Sequence, residues 1–352
     1  LEPFCDHADI LCTATAGTGT CNLGVFQNAS FSKIFNEMRT LYPQLSSDNV
    51  QVEYRPSLAG FAGRPGGGNG EFNLVPQVTV RIVNLTYNYV ALGSLLGLAP
   101  LDLPESGAWG REARGAALDR VRQMGLPHRR DEYWKFTDPT SLTSQEPPSA
   151  AIFHDDEQPL FEDVDALRVV FVDGVFDAEA SSDLAMEGIE IDLLSDAMAL
   201  DIHWARDIYG VLEARGHEKT DRPLAAFNTA FATNGVVIRV TRTPSRPVAL
   251  KYLHKSETSD AILHHCVKVE SGASLTLLES GPAAARFSKG LEVDVADHGQ
   301  FHLVRAQGRD HERRAATATF ARIGTESVFK AFTLTVNGVL TRNECVIEIV
   351  GD

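Results

Sequence analysis

No stretch of this 352-residue chain is apolar for long enough to cross a membrane. The longest apolar run, residues 89–101, falls short of the ~20 residues of a spanning helix and is broken by Gly93, Gly97 and Pro100. A secretory signal is absent as well. Positive charge is scarce: 32 Lys and Arg against 47 Asp and Glu leave a net charge of −15, of which −4 falls in residues 1–105 and −11 in the remainder. Such a chain lacks the basic face with which general nucleic-acid binders replace phosphate counterions. There is no Gly-x-Ser-x-Gly elbow, so a Ser-His-Asp nucleophile site has no support. The glycine-rich GRPGGGNG at 63–70 lacks the Gly-Lys-Ser/Thr ending of a P-loop, and a strand pattern follows it; it reads as a flexible loop. An initiating Met is missing too, and the chain, beginning at Leu1, reads as cut.

Cysteine is sparse and uneven. Of five, Cys5, Cys12 and Cys21 fall in the first 21 residues, while Cys266 and Cys345 stand alone far downstream. The cluster points to an oxidising compartment; the isolated pair is usual for a cytosolic chain. The spacings of Cys5, Cys12 and Cys21 do not match the close pairs of zinc sites, even with His7 nearby. They read as a disulfide plus one spare thiol, or as unpaired thiols.

What is present suits a globular protein of two or three domains: 43% apolar and 22% charged residues are ordinary values. Residues 1–30 show little periodicity. FSKIFNEMRTLY at 31–42 has helical spacing, with Ser30 as N-cap and Pro43 after its end. NVQVEYRP at 49–56 and PQVTVRIVNLTYNYV at 76–90 read as strands around a loop at 60–73. Pro and Gly at 98–115 mark a boundary near 104–107. A helix follows, with Ala113, Ala117, Val121 and Met124 on one face, stopped by Gly125 and Pro127. LRVVFVDGVFD at 167–177 reads as a hairpin about Asp173-Gly174. Residues 189–215 read as helical, with a stripe through Trp204, Ile208 and Leu212, and 223–235 as a helix closed by Asn234-Gly235.

From Val236 onward the pattern is short strands alone: VVIRVTR, PVALKYLH, ILHHCVKVE, SLTLLES, GLEVDVA, QFHLVRAQ, ATATFARIG, SVFKAFTLTVNG and RNECVIEIVG. Even spacing of this kind means a sandwich, a barrel or a stacked β-solenoid, and the varied turn lengths suit an irregular β-helix. The final strand carries no cap, so this end reads as cut too. The domain reading is therefore 1–104, a small α+β unit; 105–235, a helical and α+β region; and 236–352, a β-helix core.

Candidate ligands are few. His264 and Cys266 share one strand face and are weak candidates for a soft metal, while His265 points to the other face. A metal site there needs ligands from other strands. His298 sits in a predicted turn and His302 in a strand, so they do not converge. Glu292 and Asp294 share a strand face. They are the only support for a β-helix carbohydrate enzyme, and they read as solvated charges.

GLPHRRDEYWKFTDPTSL, beginning at Gly125, resembles the N-terminal signature of the SufB/SufD family of iron–sulfur cluster assembly, nearer its SufD branch. The matching positions are Pro127, Arg129, Arg130, Glu132, Trp134, Lys135 and Thr137. AAFNTAFATNGVVIRV at 225–240, HHCVKVESGASLTLLES at 264–280 and LTRNECVIEIVG at 340–351, with Arg342 and Asn343, continue the resemblance in family order over about 106–352. It implies a right-handed parallel β-helix preceded by a helical region, in a cytoplasmic scaffold that is not an enzyme. It implies SufB and the ATPase SufC as partners, and a transient iron–sulfur cluster at the complex interface with none stably bound. The family's solenoid continues past the Arg-Asn strand to a helical region with the ATPase contact and a Cys-x-His-Gly motif. This sequence stops before both, so the expectation is a truncated scaffold that does not dock the ATPase, and Cys345 is no substitute. Tyr133, Trp134 and Phe136 are expected to anchor the signature by packing. Residues 1–105 instead resemble the extracytoplasmic part of a TadE-type pilus-assembly protein, through VQVEY, the glycine-rich loop and VPQVTVRIVNLTYNYV. That resemblance implies a pilus-associated structural role and a chimeric join near 104.

Overall fold

The computed structural model describes residues 10–15, 18–21, 28–41, 47, 50–55, 77–82, 103–152, 160–307, 312–336 and 338–351. The chain divides into two units, 1–88 and 89–352.

In the first unit four strands form an antiparallel sheet: β1 (Ile10–Thr15), β2 (Thr18–Cys21), β3 (Val50–Arg55) and β4 (Gln77–Ile82), in the order β2-β1-β3-β4. Helix α1 (Asn28–Leu41) supplies its cover. Phe31, buried Val50 and Val52 form the core there, with Ile34, Phe35 and Met38 packed against them. The helix spacing of 31–42 is borne out, but the helix begins at Asn28, so Ser30 lies in its first turn and is not its cap. β1 and β2 were not expected. Their residues alternate Thr with small or apolar residues, and threonine favours strands for steric reasons that hydropathy does not register. The loop at 60–73, the residues beyond 82 in the second predicted strand, and residues 98–102 of the predicted boundary stretch lie outside the described residues.

The second unit opens with α2 (Ala108–Met124), whose buried face runs through Trp109, Gly110, Arg114, Ala117, Leu118 and Val121. Gly125, at φ 74°, ends it and donates its N–H to Val121 O at 2.8 Å. The buried face is wider than the alanine stripe, because Arg114 is buried too. Its guanidinium donates to the carbonyls of Ala230 (3.0 Å) and Ala232 (2.6 Å), which lie at the C-terminal end of a later helix, where carbonyls lack partners. Next come α3 (Thr140–Thr143), a hairpin of β5 (Leu167–Val172) and β6 (Val175–Asp177), and β7 (Ile189–Leu193). α4 (Leu194–Ala199), α5 (Val211–Arg215) and α6 (Pro223–Phe231) follow. The single helix expected over 189–215 is therefore broken. Ile189, Ile191 and Leu193 alternate, and that segment pairs antiparallel with the next strand. Gly210, left-handed at φ 71°, interrupts the rest. Ile208 and Leu212 of the expected stripe are buried nonetheless.

From here the chain winds as a two-sheet parallel solenoid. β8 (Val236–Val240), β10 (Asp260–Val269), β12 (Arg286–Val295), β14 (Arg314–Ile323) and β16 (Leu340–Ile349) stack in one sheet, with β7 at its edge. β9 (Val248–Leu253), β11 (Ser274–Ser280), β13 (Gln300–Gln307) and β15 (Val328–Thr335) stack in the other, continuing from β5 and β6. All nine expected strands are present, and no helix follows Gly235 among the described residues.

The coils are closely equivalent: Asp260 pairs with Arg286, Arg286 with Arg314, and Arg314 with Leu340. The turn between the sheets repeats with them, holding Gly272, His298 and Glu326 at φ 73°, 60° and 51°. His298 is thus a turn residue, as expected. The fold comes from alternation. In β10, Leu263, Val267 and Val269 face the lumen and join Leu250, Leu275, Leu291, Val293 and Phe301 in the main core. Cys266, on the opposite face, joins Tyr209, Leu212 and Phe320 beneath the helices. α2 packs on α6 through Leu118, Val121, Phe227 and Phe231.

Candidate functional site

Three polar clusters stand out, and strand alternation separates them. The first lies on the helix-covered face. His264 (β10) and Glu292 (β12) are both buried and bonded, Nε2 to Oε1, at 2.8 Å. The other ring nitrogen of His264 meets Asn228 Oδ1 at 2.9 Å. The Asn228 amide nitrogen donates to Leu263 O and Ser288 Oγ, which fixes its oxygen as the acceptor. Both nitrogens of His264 are therefore engaged. Glu292 also accepts the backbone N–H groups of Gly210, Leu212 and Glu213 at 2.5, 2.8 and 2.9 Å. It thereby satisfies amides at the start of α5, where the helix dipole favours a carboxylate.

Cys266 is the third member of this group: its sulfur, an imidazole nitrogen of His264 and a carboxylate oxygen of Glu292 all lie within 4.8 Å of one another. This is the partner strand that the sequence could not supply for His264 and Cys266. The donors do not fit a metal, however. Both nitrogens of His264 and both oxygens of Glu292 are already engaged. Burial, with Glu292 beside it, pushes the Cys266 thiol well above its usual range, so without a metal it stays protonated. Glu292 is thus not a solvated charge, contrary to expectation, because the helices cover its face of the strand. Asp294, two residues on, pairs with Arg322 at 2.7 Å. The two carboxylates do not act as a pair.

The second cluster fills the lumen. Glu279 on β11 is in register with Arg305 on β13, and Lys289 on β12 with Thr317 on β14 and then Asn343 on β16. Across the lumen these two ladders meet. Lys289 Nζ lies 2.6 Å from both oxygens of Glu279, and Arg305 Nε is 2.5 Å from one of them. Arg305 Nη1 donates to Thr317 Oγ1 (2.9 Å), which donates to Asn343 Oδ1 (2.7 Å). On the other side Val236 N–H donates to His265 Nδ1 at 3.1 Å, so the ring proton sits on Nε2 and is given to Tyr252 Oη at 3.0 Å. Tyr252 in turn donates to Glu279 at 3.2 Å.

Burial sets the charges in this cluster. It drives His265 down to about 3, with Lys289 adding to the effect. Burial and then Arg305 bring Lys289 down to about 7 against the opposing pull of Glu279. Burial alone would raise Glu279, but Arg305 and Lys289 hold it well below the usual carboxylate range.

The third cluster joins the two ends of the second unit. Pro127 and Trp134 are buried; Arg129, Arg130, Glu132 and Lys135 are exposed, and Thr137 is half-buried. Arg342 of β16 lies over the Trp134 ring at 4.1 Å and the Tyr133 ring at 4.5 Å. Arg222 lies over Tyr133 at 5.5 Å and pairs with Glu344 at 3.2 Å, and Arg342 also bonds Glu344. A cleft opens beside this clamp, lined by Tyr133, Trp134, Arg222, Arg342 and Glu344. Phe136 does not share the anchoring expected of it: it is 93% exposed. The short 3-10 turn at Glu132–Trp134 turns Trp134 inward and leaves Phe136 outside. Alternation also explains the Arg-Asn dipeptide. Arg342 faces the clamp while Asn343 faces the lumen ladder, so adjacent residues serve two clusters.

A parallel solenoid whose outer face is roofed by helices, with a buried charged ladder inside, is the class this geometry defines. Within that class, the family described as SUF system FeS cluster assembly, SufBD core domain, matches residues 252–352. The SufBD protein N-terminal region matches residues 105–246. Over these residues the chain belongs to the SufB/SufD family and to SUF iron–sulfur cluster assembly. No curated protein matches it. The TadE-type resemblance of residues 1–105 rests on its sequence motifs alone. No helix among the described residues is long and apolar enough to cross a membrane.

Proposed function

We propose that this chain is a non-catalytic scaffold component of the SUF assembly complex, of the SufD type, acting in the cytoplasm beside a SufB paralogue and the SufC ATPase. The observation that supports this most directly is the clamp. Two of the four stretches that carry the family resemblance, 125–142 and 340–351, meet through Arg342, Tyr133 and Trp134. Of the signature residues, Trp134 and Arg342 thereby secure the N-terminal region to the solenoid. Glu279, Lys289, Tyr252, His265, Thr317 and Asn343 in the lumen likewise bond to neighbouring groups of the ladder, which suits a rigid support. The cluster under assembly is cargo in this reading, and no side chain here is assigned as its ligand.

The test is co-expression of the tagged chain with SufB and SufC. Retention of SufB on the tagged, folded chain is the expected result. A chain that is folded by circular dichroism yet retains no SufB overturns the reading.

A further inference from the structure

Cys12 and Cys21 are direct register partners in the β1–β2 pair, together with Thr13 and Thr20, Ala14 and Gly19, and Thr15 and Thr18. Only Ala16 and Gly17 separate the two strands in sequence. In a two-residue hairpin the closing pair exchanges hydrogen bonds, and pairs then alternate outward between bonded and non-bonded types. Thr15 and Thr18 close this hairpin, so Ala14 and Gly19 are non-bonded, Thr13 and Thr20 bonded, and Cys12 and Cys21 non-bonded. Non-bonded partners have Cα atoms about 4.5 Å apart, inside the roughly 4.4–6.8 Å that a disulfide spans.

The rest of the row carries a second argument. Cys12 is also in register with Val52, and Val52 with Val80, so the row across the sheet reads Cys21, Cys12, Val52, Val80. Val52 is buried at 2% exposure in the cluster beneath α1. The two cysteines therefore stand in an apolar row with no further ligand type, which suits a bridge and not a metal. β2 is the outer strand of the sheet that the described residues form.

We infer that Cys12 and Cys21 form an intramolecular disulfide by exchange with an organic disulfide such as oxidised glutathione. In the first step a Cys21 thiolate attacks the glutathione disulfide, forming a mixed disulfide and releasing one glutathione thiolate. In the second, the Cys12 thiolate attacks the Cys21 sulfur and releases the other. Two protein thiols are oxidised, one glutathione disulfide is reduced to two thiols, and the two protons pass to the departing thiolates. The inference concerns the first unit alone and is independent of the scaffold reading.

The full chain is equilibrated in glutathione buffers from reducing to oxidising, alkylated without reduction, and cut with chymotrypsin after Phe4, Leu11 and Leu23. No chymotryptic site lies between Cys12 and Cys21. At the oxidising end, peptide 12–23 is expected two hydrogens lighter and unalkylated, with Cys5 alkylated in peptide 5–11. In Cys12→Ser, the two-hydrogen-lighter peptide is expected to vanish, with Cys21 instead carrying one glutathione or the alkyl group, while peptide 5–11 is the same as in the unsubstituted chain. Alkylation of both Cys12 and Cys21 at the oxidising end, or a bridge from either of them to Cys5 in the unsubstituted chain, overturns the inference.

Discussion

Replacing Glu279 with Gln removes the one negative charge that holds Lys289 and Arg305 inside the lumen. Glu279, Lys289 and Arg305 are all nearly or fully buried, at 1%, 2% and 4% exposure. Gln keeps the shape and an acceptor oxygen, so the bond from Tyr252 or Arg305 can persist. What is lost is the charge opposite two cations. Removing one partner of a buried pair costs about 3–5 kcal/mol, because the charge left behind cannot return to water.

The structure narrows that range by pH. Lys289 already titrates near 7, and Glu279 is what opposes a further fall. Without Glu279 the amine sheds its proton more readily, leaving only Arg305 charged. The loss should therefore sit near the lower end, about 3 kcal/mol, at pH 8, and grow toward about 5 kcal/mol below pH 7 as the amine is forced to charge. Adding Lys289→Met removes the surplus cation, so the double variant should recover roughly half the loss. Tryptophan fluorescence in urea reads this cleanly, since Trp109, Trp134 and Trp204 are the chain's three tryptophans and all lie in the second unit. Two results refute the reasoning: a Glu279→Gln loss under ~1 kcal/mol, or additivity of the two substitutions, which would mean the charges do not interact.

Other outcomes follow from the same contacts. His265 titrates at about 3 in the fold against about 6.5 unfolded, so the unfolded chain binds the extra proton between these values. Stability should thus fall as pH drops from about 6.5, by up to ~1.4 kcal/mol per unit. Urea midpoints from pH 7 to pH 5.5, above most of the range where unfolded carboxylates titrate, should show a shallower slope in His265→Gln. Arg342→Ala removes the cation from two aromatic faces, worth about 1–2 kcal/mol, and should speed tryptic cleavage after Arg129 and Arg130; unchanged cleavage kinetics would separate the clamp from the segment's order. Gly281, at φ 101°, would place an added Cβ 1.9 Å from Tyr252 O, so Gly281→Ala should leave the chain largely insoluble, as read by the soluble fraction after expression. Glu292→Ala strands three amides of α5 and should cost about 3 kcal/mol or more, whereas zinc added to the unsubstituted chain should not raise its urea midpoint.

The strands from Val236 onward were legible because each is a short alternating run closed by a turn, and alternation survives any arrangement of the coils. The face on which His264 and Cys266 meet was legible for the same reason. Glu292 was not. Its strand announces which residues share a face, but whether that face meets water depends on α5 and α6, which pack onto it from residues up to 82 positions away. The lumen ladder left a signal in the sequence: Lys289 stands between Phe287 and Leu291 on its strand face, and Glu279 and Arg305 each follow a leucine two residues earlier, Leu277 and Leu303. A charge there must meet its opposite inside. The strands at 10–21 escaped notice because threonine, not hydrophobicity, carries their alternation. Residues 189–215 combined apolar residues at both periods, and Gly210 decided between them.

The Arg342-Asn343 pair shows why so short a motif can mark a family. A substitution at Arg342 releases Tyr133 and Trp134 and leaves Glu344 to Arg222 alone. A substitution at Asn343 leaves Thr317 without its acceptor and so loosens Arg305, one coil further in. The two effects run in opposite directions from the same strand, one out to the N-terminal region and one into the lumen. Shifting β16 by one residue would exchange them, putting a guanidinium against the ladder's own cations and an amide beneath the aromatic rings. Register of the last described strand is therefore specified twice, by charge inside and by cation–π contact outside. Its neighbour β15 has only Phe329 packed into the main core and, by this argument, takes its register from the turn and from β13.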